Sequence, residues 1–272
     1  MADKILIFGK GYIGTRLQEE LNAEATDRKI YTLKDAEEEI QRFKPGIIIN
    51  CIGFIGRNVD DCELNKDKAM QSNVFAPIIL GEAAFRSQAR FIHISSGCIY
   101  HYDYDKGVPI EENQEPDFFD LYYSRTKIYS EAVLNSLARK TPILTARVRV
   151  PLDDRPNTRN ILDKLISYKK VIDLPNSVTY IPDFLKALKY LIKIEATGIY
   201  NLVNKNPLYY PDLMEVYRKH VSEFKYEVIN FKKLNMVRTN LVLSVKKLES
   251  TGFKVRDIKE VLEECVKNYL KY

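Results

Sequence analysis

The 272-residue sequence predicts an α/β fold built on a parallel sheet, and three observations lead there. Short apolar runs alternate with stretches of helical periodicity through the first half. A glycine-rich turn joins the first apolar run to the first helical stretch. The run Gly46-Ile47-Ile48-Ile49-Asn50-Cys51-Ile52-Gly53 is almost continuously apolar, as expected of a strand covered on both faces. Alternation of strand and helix implies parallel pairing through helical crossovers.

In order, Ile5 to Phe8 reads as a strand, and Tyr12 to Asn22 as a helix carrying Ile13, Leu17 and Leu21 at helical spacing. Ala25 to Tyr31 reads as at best a short, polar second strand. The isoleucine run is the third, Ser72 to Ala84 a helix, Phe91 to Ser95 a strand, Tyr122 to Ala138 a long helix and Ile143 to Val150 another strand. Beyond it come a polar loop from Pro151 to Asn160 and a short amphipathic helix from Ile161 to Tyr168. Further helices are expected at Asp183 to Ile194, Pro211 to Val221 and Val255 to Leu270, with a strand at Gly198 to Val203.

Composition narrows the class. Hydrophobic residues make up 45% and charged residues 29%, ordinary values for a globular protein with a sizeable core. The net charge of +5 is spread along the chain, which argues against nucleic acid, since that partner calls for a clustered basic stripe. No apolar run approaches a membrane span. Met1-Ala2-Asp3-Lys4 is followed by only four apolar residues before the glycines, too few for a secretory leader. Cys51, Cys62, Cys98 and Cys265 are scattered without a Cys-x-x-Cys pair, so neither zinc nor a redox dithiol is expected. They read as free thiols, and the expected location is cytoplasmic.

Gly9-Lys10-Gly11-Tyr12-Ile13-Gly14 is a Gly-x-Gly-x-x-Gly run between a strand and a helix, the setting that gives this pattern its meaning. The first glycine permits the turn, the second lets a pyrophosphate approach the backbone, and the third lets helix and sheet pack closely. The helix start offers free amides and a partial positive charge. The expected fold is therefore a doubly wound, Rossmann-type sheet binding a dinucleotide, with Cys51, Ile52 and Gly53 at the end of the third strand as further cofactor contacts. After the second strand, Asp27 would suit the ribose hydroxyl of NAD, whereas Arg28, Lys29 and Lys10 would suit a 2′-phosphate. The bases outnumber the acid, which favours NADP, with NAD as the alternative.

Tyr123-Ser124-Arg125-Thr126-Lys127 places a phenol and an ammonium four residues apart on one helical face. A nearby cation draws a phenol, with pKa of roughly 10, toward working range. Tyr123 can then protonate a carbonyl oxygen as hydride arrives, while Lys127 also bonds the nicotinamide ribose. Ser95-Ser96 ends the preceding strand. Glycine loop, strand-end serine and Tyr-x-x-x-Lys come in the order of the short-chain dehydrogenase/reductase superfamily. Ser96 is the serine expected to bond the substrate carbonyl. Cys98 lies two residues further on. It is either a buried structural thiol or, with a lysine or histidine, part of an acid–base pair acting beside a ketone.

Ser96-Gly97-Cys98-Ile99-Tyr100-His101-Tyr102-Asp103 resembles the plant and giant-virus nucleotide-rhamnose synthase/epimerase-reductases. So do Pro116 to Phe119 with Tyr123 to Lys127, Arg147 to Pro151, Arg159 to Lys164, Val171 to Ser177, and Arg238-Thr239-Asn240 with Lys247-Leu248. The resemblance implies 3,5-epimerisation of a UDP- or dTDP-linked 4-keto-6-deoxyglucose followed by NADPH reduction at C4. It implies Ser96, Tyr123 and Lys127 for reduction, Cys98 and Lys164 for epimerisation, and Asn73, Asn160, Asn176 and Arg238 as substrate contacts. The sequence departs from the plant pattern in a glycine loop one residue shorter and a poorly matched second strand. A reductase without epimerase activity, or a non-catalytic dinucleotide sensor, are the competing readings. Cys98 and Lys164 speak against the first, and the retained Ser96, Tyr123 and Lys127 against the second. Residues 1–150 are expected to form the dinucleotide-binding domain, with 178–203 returning to it, and residues 151–177 and 204–272 a substrate-binding lobe. A homodimer is expected by analogy.

Overall fold

The computed structural model describes residues 4–231, 234 and 237–272. Met1-Ala2-Asp3, part of the stretch read against a leader, lies outside them. No helix among the described residues is long and apolar enough to cross a membrane. The chain divides into two compact units: Met1–Ile99, Pro116–Arg147 and Leu191–Tyr200 form the first, and Tyr100–Glu115, Val148–Tyr190 and Asn201–Tyr272 the second.

The first unit holds β1 (Ile5–Phe8), α1 (Tyr12–Leu21), β2 (Glu24–Thr26), α2 (Leu33–Phe43), β3 (Ile47–Asn50), α3 (Asp61–Leu64), α4 (Lys66–Met70), a π-helical turn (Gln71–Phe75), α5 (Ala76–Arg86), β4 (Arg90–Ser96) and α6 (Tyr122–Leu137). With β5 (Ile143–Val148) and β9 (Gly198–Asn201), its strands make a six-stranded sheet in the order β2-β1-β3-β4-β5-β9. β1 lies parallel between β2 and β3, and β3 is parallel to β4. Order therefore reverses at β1 and β3, and ligands of such sheets bind beyond the carboxyl ends of the strands at that reversal.

Register explains the core. Leu6, Ile48 and Phe91 are cross-strand neighbours, and on their face they pack with Ala76, Leu80, Ala83 and Ala84 of α5 and Leu134 of α6. Ile7, Ile49 and Ile92 align on the opposite face and are equally buried. Burial on both faces is why β3 is written almost entirely in isoleucine.

The second strand is Glu24–Thr26, earlier and shorter than the expected Ala25 to Tyr31. The charged Asp27-Arg28-Lys29 that follows leaves the ladder. It leads to α2, whose Thr32 and Asp35 form a reciprocal capping box.

The second unit contains β6 (Val150–Leu152), α7 (Ile161–Tyr168), β7 (Lys170–Ile172), β8 (Val178–Tyr180), most of α8 (Ile181–Lys193), α9 (Tyr210–His220), β10 (Glu227–Ile229), α10 (Lys246–Ser250) and α11 (Ile258–Tyr269). β6 pairs with β8 and β7 with β10. Leu162 and Leu165 of α7, Leu213, Met214 and Tyr217 of α9, and Val261, Leu262 and Cys265 of α11 close one core. The unit boundaries differ from the expected ones by three residues at Val148, where the second unit begins, and more widely at two places. Residues 100–115 belong with the second unit, where Ile110 bridges to Leu243. Of residues 178–203 only Leu191–Tyr200 returns to the first, because β8 is paired with β6.

Candidate active site

The chain turns sharply at the end of β1. Gly9 sits at φ +101°, and a Cβ there would stand 2.9 Å from the backbone of Cys51 and Ile52. A Cβ on Gly14 would meet the Gly9 carbonyl oxygen at 1.9 Å, so α1 can lie this close to the loop only with glycine at that position. Gly11 is different: nothing lies within 4 Å of its added Cβ, leaving open space for an approaching group. Gly11 is also the N-cap of α1 and gives it no side-chain cap. Uncapped amides beside open space fit a pyrophosphate. Lys10 is exposed, and Tyr12 and Ile13 are half-buried at the helix start.

The end of β3 completes the wall. The Cys51 amide bonds to the Phe8 carbonyl, and the Ile52 amide to Asn50 Oδ1. Burial pushes the Cys51 thiol up to about 12, so it stays neutral. Arg28, expected to meet a 2′-phosphate, is paired instead with Asp35 at 3.1 Å, Glu38 at 2.6 Å and Glu39 at 3.7 Å. A phosphate there would compete with three carboxylates of α2.

Ser96 ends β4 and is 5% exposed. Its Oγ accepts the Cys98 amide at 3.2 Å, which leaves its own proton to donate. Tyr123 stands in the first turn of α6. Glu63 of α3 accepts the Tyr122 amide at 2.6 Å and so caps this helix from outside, and Thr126 Oγ1 donates to the Tyr123 carbonyl at 2.7 Å. Lys127 Nζ lies 5.9 Å from the centre of the Tyr123 ring, and 3.8 Å from where a Cβ on Gly53 would be. The ammonium thus sits between the phenol and the loop after β3. Lys127 is 4% exposed, and burial lowers its pKa to about 8 against the opposing pull of Glu131.

Cys98 is half-buried in the turn after Ser96. Lys164 is half-buried on α7 in the second unit, and its pKa is lowered by burial and by the charge of Arg159.

The three asparagines expected as substrate contacts are committed to the fold. Asn73, in the π-helical turn, accepts the Phe54 amide at 2.7 Å and donates to the Phe54 carbonyl and Thr126 Oγ1. It fastens the loop after β3 to α6. Asn160 is the N-cap of α7, bonding the Leu162 and Asp153 amides and the Asp153 and Arg155 carbonyls. Asn176 joins Arg149, Tyr210 and Asn240. All three are buried because their amides answer backbone and side-chain groups that have no water to turn to. Arg238 is half-buried, with Nη1 on the Val237 carbonyl.

The profile of the RmlD substrate binding domain family matches residues 3–174. The chain belongs to that family. The RmlD match spans the glycine loop, Ser96, Cys98, Tyr123, Lys127 and Lys164, while Asn176 and Arg238 lie beyond it. A bifunctional dTDP-4-dehydrorhamnose 3,5-epimerase/dTDP-4-dehydrorhamnose reductase of Arabidopsis thaliana is 31% identical, over 96% of this chain and 91% of its own length. A trifunctional UDP-glucose 4,6-dehydratase/UDP-4-keto-6-deoxy-D-glucose 3,5-epimerase/UDP-4-keto-L-rhamnose-reductase of the same plant is 29% identical over 97% of this chain, which spans only 42% of that protein. Among solved structures, the UDP-rhamnose synthase of Acanthamoeba polyphaga mimivirus superposes with a TM-score of 0.89 at 23% identity, covering 98% of this chain and 99% of the other. The dTDP-4-dehydrorhamnose reductase of Bacillus anthracis, in complex with NADP, gives 0.83 at 20% identity, over 96% and 98%. These two share the fold of this RmlD-family chain.

Two supports of the site escape the motifs. Glu63 is placed by tertiary packing alone and leaves no local signal. Glu131 does leave one, an acid one helical turn after Tyr-x-x-x-Lys.

Proposed function

We propose that this chain is an NADPH-dependent enzyme that reduces C4 of a UDP- or dTDP-linked 4-keto-6-deoxy sugar, after epimerising C3 and C5, to give the rhamnose nucleotide. The observation that carries the reading is the buried Lys127 ammonium set beneath the Tyr123 ring and against the loop beside the glycine turn. The bifunctional plant relative at 31% identity supports the choice of reaction.

A bound nicotinamide supplies the hydride. Ser96 donates a hydrogen bond to the keto oxygen, and Tyr123 donates the proton that turns the growing alkoxide into an alcohol. Lys127, charged below about pH 8, stabilises the phenolate left behind. The amides at the start of α1 and open Gly11 receive the pyrophosphate. For epimerisation, a base takes the proton beside the ketone and an acid returns one from the other face. Cys98 and Lys164 carry these roles, and Ser96 and Tyr123 hold the enolate oxygen between the steps. The lowered pKa of Lys164 suits proton transfer nearer neutral pH.

The test is incubation with UDP- and dTDP-4-keto-6-deoxyglucose and NADPH in deuterated water, with NMR of the product. Rhamnose nucleotide carrying deuterium at C3 and C5 is expected, and Cys98→Ser is expected to stop that exchange. Reduction without exchange in the unaltered protein would leave a reductase alone. No product from either nucleotide would overturn the reading.

A further inference from the structure

Behind the catalytic lysine lies a fully buried pair of charges. Glu131 follows Lys127 by four residues on α6, so both side chains emerge on one helical face. Arg147 of β5 reaches Glu131 through Nε at 3.0 Å and Nη2 at 2.7 Å, and the two side chains are only 2% and 3% exposed. Ser95 Oγ donates to the same carboxylate at 2.5 Å. Burying an ion pair seldom adds stability over apolar packing, so a pair this deep calls for another use.

Its position supplies one. Lys127 loses its water shell on burial, and a buried ammonium sheds its proton unless opposite charge stands near. The titratable groups around it are Cys51 at the end of β3, Cys62 on α3, Cys98 after β4, His93 within β4, and Tyr123 and Glu131 on its own helix. Burial keeps Cys51 and Cys62 neutral, with pKa values near 12 and 11. Burial and the Lys127 charge hold His93 neutral as well. Among these groups Glu131 supplies the carboxylate. The same carboxylate grips Ser95, whose neighbour in the chain is Ser96.

We infer that Glu131 is a positioning residue for both halves of the site: its carboxylate, anchored by Arg147, keeps Lys127 an ammonium and, through Ser95, fixes the strand end that presents Ser96. Arg147 holds the carboxylate in place through two hydrogen bonds. Ser95 turns a core ion pair into a tether on the active-site strand.

The kinetic part of the test rests on the reductase reading above; the titration does not. Lys127 is titrated in substrate-free protein by NMR of 13Cε-labelled lysine, its resonance assigned by its loss in Lys127→Arg. Glu131→Gln strands Arg147 and endangers folding, so the deciding variant is Glu131→Gln with Arg147→Met, which removes both charges together. Its Lys127 midpoint is expected about one pH unit below that of the unaltered protein, and the alkaline limb of NADPH oxidation should move with it. An unmoved midpoint in the folded double variant would overturn the tuning role. Ser95→Ala is expected to lower kcat several-fold with KM and the Lys127 midpoint unchanged. An unchanged kcat would overturn the tether. Lack of reductase activity in the unaltered protein would sink the functional reading while leaving the titration result standing.

Discussion

Tyr123 and Lys127 stand one helical turn apart, with the ammonium dry and the phenol half-buried. Tyr123→Phe keeps the ring and its packing but removes the proton to be donated. NADPH oxidation in that variant should fall at least about a hundredfold, as followed by absorbance, while nucleotide binding persists. The pH dependence follows from Lys127, whose folded pKa of about 8 lies below its ordinary value. The ammonium is present below that value and lost above it, so kcat should decline as pH rises through about 8. The same depression means that burial of the charge destabilises the fold below pH 8 and that this burden lifts as pH rises toward the ordinary lysine value. Rate and stability should therefore move in opposite directions across that window, which parallel activity and urea-unfolding series would show. The residues proposed for this chemistry stand out in the sequence because a Tyr-x-x-x-Lys, a strand-end serine and a glycine loop are local patterns with fixed spacing. The structural bonds of the asparagines were not legible because their partners are distant in sequence: Asn73 meets Thr126 and Asn176 meets Asn240. No spacing rule separates a contact with substrate from a contact with the fold.

At the scale of elements, α7 depends on one residue. Asn160 bonds two amides and two carbonyls at its start. Asn160→Ala should cost about 1–2 kcal/mol in urea unfolding, with the loss centred on the helix that carries Lys164. Strands β1, β3 and β4 were readable from apolar runs because both faces of the sheet are covered. α2 was not, although Thr32 with Asp35 three residues on is a capping signature. Its buried face includes Glu39, and its Glu-rich, polar composition hides the helical period from a hydrophobicity reading. The expected strand from Ile143 to Val150 is broken at Arg149, whose guanidinium turns to Thr239 and Asn176. Such an interruption depends on partners far along the chain.

At the scale of the molecule, two cores are built from interleaved stretches of one chain. Interleaving is what defeated the expected domain bounds, since a run such as 100–115 joins its unit through a bridge to Leu243, far away in sequence. If the uncapped start of α1 takes up a dinucleotide, NADPH at about a hundred times its Kd should stabilise the protein by roughly 2.7 kcal/mol. Calorimetry should register that as a higher Tm, and NADH at the same concentration should raise it less. Equal shifts would mean that the three carboxylates around Arg28 leave no preference for the extra phosphate.

The π-helical turn at Gln71–Phe75 has a consequence for how this sequence can drift. It joins α4 to α5 without a loop, and a π-turn holds one residue more than the α-turn it replaces. Deleting one residue there lets the turn tighten to α geometry and leaves Ala76, Leu80 and Ala84 against the sheet, whereas the same loss inside α5 would rotate every later side chain by about 100°. A change of one codon is thus absorbed at the turn and nowhere further along the helix.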